Sequence, residues 1–98
     1  MKYLKKFEQT VNEPEIGDYV IASDNVATMK GKIVDYMFNI HNKIYMIEGY
    51  YSKGEKEYSI VVKDSFLEEQ ILRNMTNDEK IDFIPKYELS IQTNKYNL

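Results

Sequence analysis

The chain has 98 residues, 43% of them hydrophobic and 30% charged, enough for one domain with a single core and a charged surface. Thirteen basic residues against sixteen acidic ones give a net charge of -3, which speaks against a basic nucleic-acid footprint. Cysteine is absent, so disulfides, thiolate metal ligands and thiol nucleophiles are excluded together.

Taken in order, Leu4, Phe7 and Val11 fall at helical spacing with Tyr3 beside them, and predict a short amphipathic helix within residues 1–12. Lys2, Lys5 and Lys6 stand at its positive end, so it should form only by docking Leu4 and Phe7 on the rest of the fold. The start is basic but has no apolar stretch typical of a signal peptide, and no run reaches the roughly 20 residues of a membrane span. A cytoplasmic location is the expectation.

Pro14 forces extension into the first strand of a barrel expected over residues 16–75. Ile16-Gly17-Asp18-Tyr19-Val20-Ile21-Ala22 and Gly31-Lys32-Ile33-Val34-Asp35-Tyr36 read as two strands whose β-branched and aromatic residues suit a pleated surface. Residues 23–30 form a polar connection and a first candidate binding loop. A turn at residues 39–43 leads into a strand over residues 44–51. The Ser52-Lys53-Gly54-Glu55-Lys56 turn then closes a hairpin onto residues 57–62. Gly49 inside that strand suggests a bulge or strong bend.

Residues 65–73 admit either a helix or a closing strand. The reading taken is a loop or single turn over residues 64–69, then a strand at residues 70–75. Thr76-Asn77-Asp78-Glu79 is a capping box. It should open a short helix stopped by Pro85, with an edge strand over residues 87–91 and a polar tail over residues 92–98. The fold class expected is therefore mainly β (α+β): a small, strongly bent antiparallel sheet or barrel with short terminal helices.

Chemistry-bearing residues are sparse. His41, the single histidine, sits in a turn without the Cys or second His that a metal or catalytic role would need. Asp78, Glu79 and Asp82 share a helical stretch that could hold a hard cation, but they also suit a solvated helix start. The four glycines form neither a phosphate loop nor a dinucleotide fingerprint. No catalytic residue, metal ligand or cofactor site is assigned.

The nine tyrosines are the one enrichment. Tyr19, Tyr36, Tyr45 and Tyr58 are expected to pack the barrel. Tyr50 and Tyr51 are consecutive, so one should face away from the core on a regular strand. A partner-binding surface is expected around Tyr50, Tyr51, Lys53, Glu55 and Lys56.

Gly17-Asp18-Tyr19-Val20, Gly31-Lys32-Ile33-Val34 and Tyr45-Met46-Ile47 resemble the strand cadence of Src-homology-3-like and KOW-type small barrels. Tyr3-Leu4-Lys5-Lys6-Phe7-Glu8, the Gly17-Asp18-Tyr19-Val20 strand and Asn77-Asp78-Glu79-Lys80-Ile81 resemble a class of small uncharacterised phage proteins, and the abundance of Lys, Asn, Ile and Tyr, which have A/T-rich codons, points to an AT-rich bacterial or phage genome as the source. The resemblance implies a non-enzymatic protein that occupies a host protein or ribonucleoprotein, most concretely an anti-CRISPR-like inhibitor of bacterial defence. The missing tryptophan argues against proline-rich peptide recognition. The alternative is a nucleic-acid-binding barrel using Lys30, Lys32, Lys53, Lys56 and Lys63 with exposed tyrosines. A small metal-dependent enzyme is a third reading.

Overall fold

The structure is a computed structural model that describes residues 13–96, with side chains described through Thr93. The helix expected within residues 1–12 lies outside the described residues. Six strands and one long helix follow: β1 (Tyr19–Ser23), β2 (Thr28–Phe38), β3 (Lys43–Lys53), β4 (Lys56–Glu57), β5 (Val62–Leu67), a 3-10 turn (Glu68–Gln70), β6 (Ile71–Asn74) and α1 (Asn77–Tyr96). The architecture is mainly β, a curled antiparallel half-barrel with a C-terminal helix.

The sheet runs β4-β3-β2-β1-β6, and β5 also pairs with β3. The outer edge of β3 is thus shared end to end. Its last residues pair with β4 (Ser52↔Glu57, Lys53↔Lys56), and the stretch from Ile44 to Gly49 pairs with β5. Residues 58–61 leave the ladder between the two. The hairpin partner expected as one strand over residues 57–62 is therefore two short strands with a gap.

The closing strand is found where it was expected. Ile71–Asn74 returns to β1 with Val20↔Asn74 and Ile21↔Arg73 in register. The preceding loop differs from expectation, because Val62–Leu67 stays extended through Phe66. Phe66 is buried in the first core cluster, so a loop there would surrender one of its largest side chains.

Side-chain alternation explains why both faces of the sheet are covered. Val20, Ala22, Met29, Ile33, Tyr45, Ile47 and Phe66 fill one face. Ile21, Tyr50, Met75, Phe83 and Tyr87 fill the other, beneath α1. The bulge expected at Gly49 lies instead where the β2–β3 register shifts between Ile33 and Asp35. Gly49 stays in register opposite Gly31. It serves close approach: a Cβ there would collide with the Lys30 carbonyl oxygen, and one on Gly31 would sit 2.6 Å from that of Glu48.

The largest departure is at the C-terminus. The short helix ending before Pro85, the edge strand over residues 87–91 and the polar tail give way to one 20-residue helix with Pro85 inside it. An interior proline costs about 3 kcal/mol through its missing N–H and its ring. Phe83 and Tyr87 are buried and Ile84 and Ile91 pack beside them, each side chain contributing roughly 1.5–3 kcal/mol when fully buried. Burial outweighs the proline. Thr76 and Glu79 form the expected capping box: Glu79 N–H donates to Thr76 Oγ1 at 3.2 Å and Thr76 N–H to Glu79 Oε1 at 2.8 Å.

Candidate functional site

The β3–β4 hairpin places its functional side chains through a tight turn at Gly54, whose φ of +62 suits glycine best. Lys53, Glu55 and Lys56 stand exposed at its tip. One residue past β4, the Tyr58 N–H donates to the Tyr51 carbonyl at 3.0 Å, and the chain then leaves the ladder. Tyr58 is thereby held against β3, 42% exposed as a residue, with Lys56 Nζ 5.1 Å from its ring centroid.

Two clefts meet at Tyr51 and Tyr58. One, of about 290 Å³, lies between the hairpin and the first half of α1, with Lys30, Glu57, Asp78, Asp82 and Lys86 among its lining. The other, of about 300 Å³, is bounded by Asp24, Val26, Ala27 and Lys53. The loop forming its far wall is rigidified by Asp24, whose Oδ1 accepts from Val26 N–H at 2.7 Å and Ala27 N–H at 2.8 Å. Those bonds hold the Asp24 carboxyl below its usual range. The arrangement is a rigid aromatic ridge between a charged cleft and a more apolar one.

The two consecutive tyrosines sit differently from the expectation that one ring would face solvent. Tyr50 is 7% exposed beneath α1. Its hydroxyl donates to the Lys86 carbonyl at 3.3 Å and lies 2.7 Å from Ser90 Oγ, and Lys86 Nζ lies 4.9 Å from its ring. Tyr51 is half-buried on the opposite face, its hydroxyl bonded to the Asp64 carboxylate. Because α1 covers the second face, the strand has no bare side here. Tyr58 is the exposed ring, and the sequence signal for it was weak: it reads as one more alternating strand residue until the ladder is seen to stop there.

Of the other tyrosines expected in the core, Tyr45 is fully buried, Tyr19 is half-buried with its ring 5.9 Å from that of Phe83, and Tyr36 is exposed. Tyr87 donates to Glu48 Oε1 at 2.6 Å beneath the helix; burial, then that carboxylate, raises its phenol pKa.

Asp78, Glu79 and Asp82 all line the charged cleft, but the Glu79 carboxylate is already paired. Arg73 binds it with two nitrogens at 2.7 and 2.9 Å. With the Thr76 N–H, that pair lowers the Glu79 pKa to about 2. Among the described residues no group of three His, Cys, Asp or Glu side chains could hold a metal ion. His41 is exposed in a turn organised by Asn39, whose Oδ1 accepts from the His41 and Asn42 N–H groups.

The lysines do not form one track. Lys32 and Lys63 flank Glu48 in the register of β2, β3 and β5, so charges alternate across the sheet. Lys30 lies in the charged cleft, and Lys53 and Lys56 sit together at the hairpin tip. No helix among the described residues is long and apolar enough to cross a membrane. Comparisons with protein-family models, curated proteins and solved structures find no match to this chain.

Proposed function

We propose that the chain is a non-enzymatic binding protein that occupies a macromolecular partner with the Tyr58 ridge and the two clefts beside it. The observation that carries the reading is the exposed Tyr58 ring, held by a backbone bond to β3 and bordered on both sides by concave surface. A rigid amphipathic aromatic flanked by adaptable charges is the chemistry of an interface anchor. Lys53, Glu55 and Lys56 supply the polar rim.

The finer fold reading belongs with this proposal. A meander of antiparallel strands, a 3-10 turn before the last strand and return of that strand to the first support a Src-homology-3-like barrel. The concrete role proposed is that of a phage-encoded inhibitor of a bacterial defence system, anti-CRISPR-like, acting in the host cytoplasm on a protein or ribonucleoprotein. That role rests on the resemblance of its opening and late segments to small phage proteins. Expression in a bacterium whose CRISPR system targets a challenging phage tests it. Restored plaquing supports the role, and unchanged interference at high expression refutes it.

The second reading is a KOW-type nucleic-acid-binding barrel, favoured by Lys53 and Lys56 beside the exposed Tyr58. The alternation of Lys32, Glu48 and Lys63 weighs against it, because phosphate contacts need continuous positive charge. Micromolar protein should leave single- and double-stranded DNA and RNA unshifted at physiological salt. Tight binding that weakens steeply with added salt would replace the first reading with this one.

A further inference from the structure

The β2–β3 hairpin ends in an apolar tip that the Tyr58 ridge does not use. Residues 35–42 are all exposed, so the ribbon is bare on both of its faces. Met37 is 59%, Phe38 70% and Ile40 89% exposed. Alternation puts Tyr36 and Phe38 on one face and Met37, opposite Ile44 in register, on the other. The Tyr36 and Phe38 rings meet edge to face at 5.8 Å. Exposed apolar surface of this kind marks a protein or membrane contact. A flat protein surface would cover one face of such a ribbon, whereas a layer of headgroups and acyl chains surrounds both.

Charge and backbone pairing select the lipid. From Tyr36 to Ile47 the sequence has no acidic residue, although acids outnumber bases over the whole chain. The one fixed charge in that stretch is Lys43, opposite Phe38 in register. Its ammonium is turned back from the tip. Nζ lies 4.4 Å from the Tyr36 ring centroid against 5.7 Å from that of Phe38, and 3.6 Å from Glu13 Oε1. A snorkelled lysine of this kind keeps its charge at headgroup level while its stem lies on apolar surface. The turn has also paired its own backbone. The Asn39 N–H donates to the Asn42 carbonyl at 2.9 Å, and Asn39 Oδ1 accepts from the His41 and Asn42 N–H groups at 3.0 and 2.8 Å. Internally bonded N–H groups lower the cost of entering a poorly hydrated layer. Tyr36 stands two residues, roughly 7 Å, behind Phe38 along the strand. Its ring then falls at the interface level that tyrosine favours, with Phe38 and Ile40 deeper.

We infer that the tip of the β2–β3 hairpin is a peripheral anchor to a lipid bilayer. Phe38 and Ile40 enter the interfacial layer, and Tyr36 and Lys43 stay among the headgroups. Apolar insertion rather than charge carries the binding, because the chain as a whole is acidic and Lys43 is paired with Glu13. The tip lies at the opposite end of β3 from Lys53, so anchoring leaves the Tyr58 ridge open to a partner.

Flotation of the full chain with phosphatidylcholine vesicles at millimolar lipid tests the anchor. The wild type should float with the vesicles, and raising the salt concentration should leave its partitioning nearly unchanged. The double variant Phe38→Ser with Ile40→Ser should partition at least tenfold less. Ile40→Ser alone alters the most exposed apolar side chain and spares the ring pair, so it keeps the fold and should partition several-fold less. Ile81→Ser removes an apolar side chain that is 73% exposed on α1 and should float as the wild type does. Absence of wild-type flotation would overturn the inference, as would equal flotation of Ile40→Ser. Binding abolished by salt would also overturn it, since charge would then be the cause. If sedimentation instead shows a dimer that Ile40→Ser dissociates, without vesicle binding, the tip is a contact between two copies and the inference fails.

Discussion

Glu79 is a carboxylate whose partners favour its ionised form well below the usual range. Two bonds from Arg73 and one from the Thr76 N–H hold its folded pKa at about 2, against about 4.5 for a free glutamate. A depressed folded pKa contributes stability that is complete above the unfolded value and is lost as pH falls toward the folded one. Stability should therefore decline between pH 4.5 and 2, and Glu79→Gln should flatten that decline while lowering stability at pH 7. Denaturant melts across the range check it. At the same scale, Tyr50→Phe should cost about 1 kcal/mol by deleting its bonds to Lys86 and Ser90. Tyr50→Ala should cost about 3–5 kcal/mol by emptying the space under α1. Thermal and urea unfolding of the two variants separate the hydroxyl from the ring.

Among the elements, α1 and the Gly31–Gly49 pair make the sharpest predictions. Pro85 is exposed and removes the N–H that would bond the Ile81 carbonyl, so Pro85→Ala should stabilise the protein, by up to about 3 kcal/mol. A loss of stability would mean that the helix depends on the proline. Gly49→Ala should cost about 3 kcal/mol or more, since β2 cannot retreat without breaking its ladder. Folded yield and melting temperature read this directly. The same elements show what the sequence discloses. Turn chemistry at Gly54 and the capping box at Thr76 depend on near neighbours, and both were readable; the closing strand at residues 71–74 was one of two readings of its stretch, because its partner β1 lies far away along the chain. The helix through Pro85 was not readable, because its stability comes from Phe83 and Tyr87 meeting Ile21 and Tyr50 across the chain. The bulge after Ile33 and the break at residues 58–61 are properties of strand register, which a single strand does not carry.

For the whole molecule, the decisive property is a sheet buried on both faces. Alternation alone predicted that Tyr50 or Tyr51 would be bare, and α1 removes that possibility by covering the second face. The exposed hairpin tip at Lys53, Glu55 and Lys56 was readable from composition, whereas the ring that belongs with it, Tyr58, emerges only where the ladder stops. A contact ring that lies outside both core clusters should separate binding from stability. Tyr58→Ala should change the unfolding free energy by less than about 1 kcal/mol, because the ring is largely outside both core clusters. It should weaken partner binding by about 2 kcal/mol or more, the scale of an interface hot spot. The most direct measurement immobilises the wild-type protein, Tyr58→Ala and Ile81→Ala side by side, exposes them to bacterial lysate, and quantifies every retained protein and nucleic acid. The account predicts a protein or ribonucleoprotein held by the wild type and by Ile81→Ala, and reduced at least tenfold on Tyr58→Ala. Equal retention on a folded Tyr58→Ala, or retention of nucleic acid alone, would contradict it.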